Sequence, residues 1–300
     1  MGYVNVRFVN IFMKTLEYYF KKAKKEKWAI GQFNFSDLSQ LEGIIEAAKA
    51  TQAPIIIGTS EGESRFLGLK RVVAFKKAFQ DETGLPIFAN LDHGKSFEYI
   101  KKAIEVGYDM VHFDGSKLPY KDNVAQTKEV VKYAKKFGTL VEGEMGIIGT
   151  ETSKMYEEKF EIKEENLTNP IEAQEYIKNT GVDCLAVSIG NFHGMSVGGD
   201  PKLVISRLRE IKKLIPNTFL VLHGGSGTPV KDIKQSINLG IVKININTEL
   251  RLAYTSTLKK SLEDNPSEIT PYKYLPNGIK AVQRVVEEKI ALFGGKKKIV

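Results

Sequence analysis

The residues best suited to chemistry are three histidines, His93, His193 and His223, each followed by glycine and each at or just past the end of a short apolar run. Neutral imidazoles are good ligands for a divalent ion. Three of them leave one coordination position open, as a catalytic zinc site requires. Asp92 immediately precedes His93 and offers a carboxylate that can move a proton beside such an ion. The segment His223-Gly224-Gly225-Ser226-Gly227-Thr228 opens a helical stretch. Its glycines let backbone N–H groups approach an anion, and a helix N-terminus adds partial positive charge. His112 sits inside an apolar run two residues before Asp114 and is left outside the metal set.

Positioning these groups takes a repeated scaffold. Apolar, β-branched runs fall at 28–35, 54–60, 86–92, 110–114, 139–144, 184–190, 218–223 and 242–247. Segments of helical periodicity lie near 37–50, 65–83, 95–106, 120–137, 169–180, 200–215, 229–238 and 249–263, with a helix before the first run (12–26) and another at the end (277–293). Eight strand–helix units with nearly continuous apolar strands predict an α/β fold, a (β/α)8 TIM barrel with an N-terminal and a C-terminal helix. A doubly wound open sheet would carry a Gly-rich phosphate loop after its first strand, and Gly31-Gln32-Phe33-Asn34 is not one. No linker interrupts the pattern, so residues 1–300 read as a single domain with a flexible tail at 294–300. The stretch 145–168 is long for a βα connection and reads as a mobile loop over the active face. In such barrels chemistry sits at the C-terminal ends of the strands. Asn34, Ser60, Asp92, His93, Asp114, Glu142, Glu144, His193, His223, Asn245 and Asn247 all fall there.

Bulk composition narrows the partners. The chain is 42% hydrophobic, and no apolar run reaches the ~18 residues of a membrane span. The net charge is +8, but the lysines lie on helices mixed with acids and apolar residues. That is the pattern of solvated helix faces rather than a nucleic-acid surface, and its positive field suits a phosphorylated substrate. The lone Cys184 excludes an internal disulfide and fits a reducing cytoplasm as a small core residue. The apolar stretch Phe8–Met13 is followed by Lys14, Lys21 and Lys22 with no small-residue cleavage site, which argues against a signal peptide.

The motifs Asp92-His93-Gly94, Phe113-Asp114-Gly115-Ser116-Lys117-Leu118-Pro119, Val141-Glu142-Gly143-Glu144-Met145-Gly146, His193-Gly194, His223 to Gly227 and Lys243 to Glu249 together carry a family likeness over about residues 12–293. The chain resembles the class II, metal-dependent fructose-bisphosphate aldolases and their tagatose-bisphosphate relatives. The resemblance implies zinc, or another divalent ion, on His93, His193 and His223, with Glu144 near an alternative metal position. It implies Asp92 as acid/base at the C4 hydroxyl. It implies a dihydroxyacetone-phosphate site on Gly194, Gly224, Gly225, Ser226, Asn245, Asn247 and Thr248, with Asn34 and Ser60 among the substrate-binding set. A monovalent cation near that phosphate and a homodimer are also family traits. Three departures stand out. The strand-five loop reads Gly149-Thr150-Glu151-Thr152-Ser153, so Thr152 takes the place of the family's proton-transfer acid and Glu151 is the favoured substitute. The lysine usual after His193 is missing from Gly194–Gly199, and Lys117 stands where many members have histidine. Arg251 is the candidate for a second phosphate. The implied reaction is reversible cleavage of fructose 1,6-bisphosphate to dihydroxyacetone phosphate and glyceraldehyde 3-phosphate. Its rivals are a tagatose-bisphosphate or other ketose-phosphate aldolase, a Schiff-base mechanism on Lys243, and a non-catalytic sugar-phosphate-binding protein.

Overall fold

Strands that are apolar on both faces need cover on both, and here they obtain it by closing on themselves inside a ring of helices. The computed structural model describes residues 14–148, 155–157, 163–198 and 202–300. The strands are β1 (Ile30–Asn34), β2 (Ile55–Ser60), β3 (Ile87–Gly94), β4 (Met110–Phe113), β5 (Leu140–Met145), β6 (Met155–Tyr156), β7 (Cys184–Val187), β8 (Met195–Ser196), β9 (Phe219–Leu222) and β10 (Ile241–Ile246). Eight of them form a closed parallel barrel in the order β1-β10-β9-β7-β5-β4-β3-β2. The expected (β/α)8 architecture stands.

Local sequence explains the helices around it. Asp37 caps Leu38–Thr51 by accepting from the Gln40 N–H. Ser96 caps Phe97–Val106 in the same way, and Asn169 followed by Pro170 starts Pro170–Thr180. In Leu38–Thr51, Leu41, Ile44, Ile45 and Ala48 fall on one helical face and are buried. Each such Leu or Ile contributes about 1.5–3 kcal/mol on burial. This helix lies so close to the C-terminal helix Pro276–Leu292 that a Cβ at Gly43 would stand 2.6 Å from the Ile279 carbonyl oxygen. Only glycine fits that crossing.

Several boundaries differ from expectation. The single helix expected at 65–83 is two, Glu61–Leu67 and Leu69–Thr83, broken at Gly68 with φ 89°. The sixth barrel strand stops at Val187 because the next residues are drawn into other bonds. The Ser188 N–H donates to Thr168 Oγ1, the Ser188 hydroxyl donates to the Ile147 carbonyl, and Gly190 turns the chain at φ 98°. The tail expected to be flexible is instead tied down. The Lys297 and Lys298 N–H groups donate to the carbonyls of Thr51 and Gln52, and the Lys298 ammonium bonds Glu26 at 2.9 Å beside the Trp28 ring. Within the long 145–168 stretch, β6 pairs in parallel with β8, which begins two residues after His193. The Glu151 and Thr152 expectations lie outside the described residues.

One irregularity shapes the site. Between Leu91 and Gly94 the β3–β4 register shifts, and His93 adopts φ 51°. A regular strand sends neighbouring side chains to opposite faces. The bulge re-aims one of them, so Asp92 and His93 both line the same cavity. Positive φ is costly for a non-glycine residue, and it is held here by the His93 N–H donating to His112 Nδ1 at 3.2 Å.

Candidate active site and metal centre

The strand ends surround a cavity of about 730 Å³ at the C-terminal mouth of the barrel. Asn34, Ser60, Asp92, His93, Glu144, His193, Gly194, His223, Gly224, Ser226, Asn245, Asn247, Thr248 and Arg251 all line it. Gly225 packs beneath, with its N–H on the Asn245 carbonyl.

The three histidines meet. His93 Nε2 lies 3.1 Å from His193 Nε2 and 3.1 Å from His223 Nδ1. The carboxylates behind two of them define their tautomers, because a carboxylate only accepts. His93 Nδ1 donates to Asp114 at 2.9 Å, and His223 Nε2 donates to Glu142 at 2.6 Å. When both rings are neutral, their remaining nitrogens therefore aim lone pairs at each other. Two lone pairs at that distance repel unless a cation lies between them. Ligand nitrogens around one tetrahedral zinc stand roughly 3.3 Å apart for bonds of ~2.0–2.1 Å. The two contacts of His93 fit a divalent ion in chemistry and spacing; the set whose ligand atoms all lie within 4.8 Å of one another is Asp92, His93, His112 and His223, and His193 adjoins it through His93.

Electrostatics point the same way. Burial opposes protonation of His93, but Asp92, the Asp114 hydrogen bond and Glu144 outweigh it and raise its pKa to about 10. Burial and the charges of His93 and His112 push His223 well below its usual value. Without metal, a proton on His93 fills the gap between the two rings. A metal must displace that proton, so zinc affinity is expected to rise about tenfold per pH unit from pH 7 to 9 and level off near 10. Zinc-competition titrations across that range check the slope. In metal-free protein the His93 charge contributes stability that is fully present below pH 6.5 and lost as pH rises through about 10.

Asp92 is gripped from both sides. Its Oδ2 accepts from the Asn34 amide at 3.0 Å and its Oδ1 from the Asn245 amide at 3.1 Å. Burial would raise its pKa, yet His93, His223, Lys243 and His112 hold it well below the usual carboxylate range. It stands as a fixed anion 3.9 Å from His93 Nε2.

Two further neighbours complete the site, His112, which the sequence left outside the metal set, and Glu63, which the sequence reading missed. Fully buried His112 lies under the histidine set, its ring 4.7 Å from His93 and its Nε2 3.3 Å from Glu144. Alternation with Asp114 was the available signal for its inward direction. Glu63 accepts from Asn34, the Ser60 N–H, Asn247 and Arg251, the last at 2.5 Å. The pattern Ser60-x-x-Glu63 before a helix is a capping box and would have located it. Arg251 thus reaches the cavity, but paired with a carboxylate.

The loop after β9 is shaped by Gly224, at φ 61°, where a Cβ would stand 2.0 Å from the Phe192 carbonyl oxygen. Gly224→Ala is expected to cost at least ~1–3 kcal/mol from the backbone conformation alone. It should also raise KM for phosphorylated substrates, as denaturant melts and steady-state kinetics would register.

A closed parallel barrel with clustered histidines and an adjoining carboxylate at its C-terminal mouth has the form of a barrel enzyme with a metal site. The family described as "Fructose-bisphosphate aldolase class-II" matches residues 14–298, and the chain belongs to it. It is 39% identical over 275 residues to the probable fructose-bisphosphate aldolase of Bacillus subtilis, covering 91% of this chain and 94% of that one. It is 38% identical over 278 residues to the fructose-bisphosphate aldolase of Geobacillus stearothermophilus, with the same coverages. Among solved structures, the YdjI aldolase of Escherichia coli K12 superposes with a TM-score of 0.80 at 29% identity, over 96% of this chain and all of that one. The protein is accordingly an aldolase-type lyase of a metal-dependent family acting on phosphorylated sugars.

Proposed function

We propose that the chain cleaves fructose 1,6-bisphosphate reversibly, with zinc on His93, His193 and His223 and with Asp92 moving the C4 hydroxyl proton. The convergence of three imidazole nitrogens beside an amide-held aspartate carries this reading. Bound zinc would supply Lewis acidity at the substrate carbonyl and charge for the enediolate. The chain's own groups do the rest. Asn34 and Asn245 hold Asp92 still, so its free lone pairs face the cavity and take the hydroxyl proton as the C3–C4 bond breaks. Reprotonation at carbon falls to the strand-five loop, with Glu151 favoured over Thr152. Glu144, close to Asp114 and His93, marks the alternative metal position.

The C1 phosphate is assigned to Gly194, Gly224 to Ser226 and Asn245 to Thr248. Support comes from the helix Thr248–Asp264, whose N-cap Asn247 makes no capping bond of its own. A monovalent cation would sit beside this phosphate. Ser60 and Arg251 are assigned to the distal phosphate, with Glu63 behind them. Tagatose 1,6-bisphosphate or another ketose phosphate is the second reading, because the departures at Thr152 and Gly194–Gly199 leave the exact sugar open. Cytoplasmic location and a homodimer complete the proposal. Among the described residues no helix is long and apolar enough to cross a membrane.

The test is a coupled assay with fructose 1,6-bisphosphate, tagatose 1,6-bisphosphate and ketose monophosphates. Turnover fastest on fructose 1,6-bisphosphate is expected. Sugar-phosphate binding without turnover on any of them would leave a non-catalytic binding protein.

A further inference from the structure

The barrel interior holds a charged pair that the cleavage chemistry above does not use. Lys243 on β10 points into the core and is fully buried, its Nζ 2.7 Å from Glu142 Oε2. Glu142 on β5 is equally buried, and its other oxygen accepts from His223 Nε2 at 2.6 Å. A lysine and a glutamate at the centre of an apolar barrel are costly to desolvate, and a pair of matched apolar residues is often at least as stable there. Their presence therefore asks for a function other than stability.

We propose that Lys243 and Glu142 are positioning residues for the metal centre, acting through His223. The carboxylate accepts the Nε2–H, so the ring has one tautomer and one orientation, with Nδ1 presented to His93 and His193. Lys243 supplies the countercharge and anchors the carboxylate from below. Without it, Glu142 would face a dry core on one side and swing towards another donor. His93 receives equivalent support from Asp114 at the rim, but that partner is one-fifth exposed, whereas Glu142 is fully buried. The same geometry gives Lys243 a role incompatible with a Schiff base: its ammonium lies under His223, bonded to a carboxylate, rather than open to the cavity.

This inference rests on the three-histidine metal reading, and the experiment separates the two. Zinc affinity is measured by competition with a chromophoric chelator, and cobalt-loaded protein is followed by its visible spectrum. Lys243→Met alone strands a buried carboxylate and risks misfolding, so it is combined with Glu142→Gln, which removes both charges. Glu142→Asp, which keeps the charge but withdraws it by one methylene, serves as a second variant. Both are expected to fold and to hold zinc about 10–100-fold more weakly than the wild type, with a shifted cobalt spectrum. Zinc affinity within twofold of wild type in a folded variant would overturn the positioning role. A wild-type chain that binds no zinc would overturn the underlying site instead.

Discussion

Asp92→Asn is expected to lower kcat for ketose cleavage by about 10²–10⁴-fold, the range for loss of a positioned acid/base, while zinc content stays at the wild-type level. The substitution is nearly isosteric. Asn34 can still donate to the remaining carbonyl oxygen, whereas the Asn245 amide now faces a second donor. One lost hydrogen bond is worth about 0.5–1.5 kcal/mol, too little to unfold the barrel. The catalytic loss has a sharper signature than its size. If Asp92 serves the C4 hydroxyl alone, exchange of the dihydroxyacetone-phosphate carbon-bound proton with solvent needs no C4 group and should persist in the variant. Exchange that falls in step with cleavage would mean that Asp92 also handles the carbon proton, and Glu151 would then lose its assignment.

The strand ends were legible in the sequence because two signals coincide there. Apolar β-branched runs stop, and glycine or a polar residue follows. That is why the sequence puts His93 and His223 at one end of the barrel, and why the Gly224–Gly227 turn reads as an anion loop. The bulge at His93 was not legible. Strict alternation puts Asp92 and His93 on opposite faces, and only the register slip against β4 brings both inward. His112, whose inward direction alternation with Asp114 does signal, receives the displaced His93 N–H on its Nδ1. The pairing of Glu142 with Lys243 spans 101 residues, and no local periodicity encodes which barrel-facing charge meets which. Glu63 is the opposite case. Its capping box was present in the sequence, but the helix was expected to begin at 65, and the short helix starting at Glu61 moved the carboxylate under Arg251 and Asn247.

Removal of the metal with a strong chelator is expected to abolish cleavage, a loss of at least ~10³-fold. It takes away the group that polarises the carbonyl, a contribution of several kcal/mol to the barrier. Readdition of zinc should restore activity. Borohydride added with substrate should trap nothing and leave the protein mass unchanged. The second arm matters because a barrel aldolase has one other route, an imine on an inward lysine, and Lys243 is the inward candidate on the eighth strand. That route needs an amine that is neutral and open to substrate. The Lys243 nitrogen is not open to substrate, since it is fully buried and held 2.7 Å from the Glu142 carboxylate. Activity that survives chelation together with a borohydride-stable adduct on Lys243 would reverse the assignment. The histidine cluster would then be held by a proton alone, with protonated His93 Nε2 donating to His223 Nδ1 at 3.1 Å, and would need a role other than metal binding.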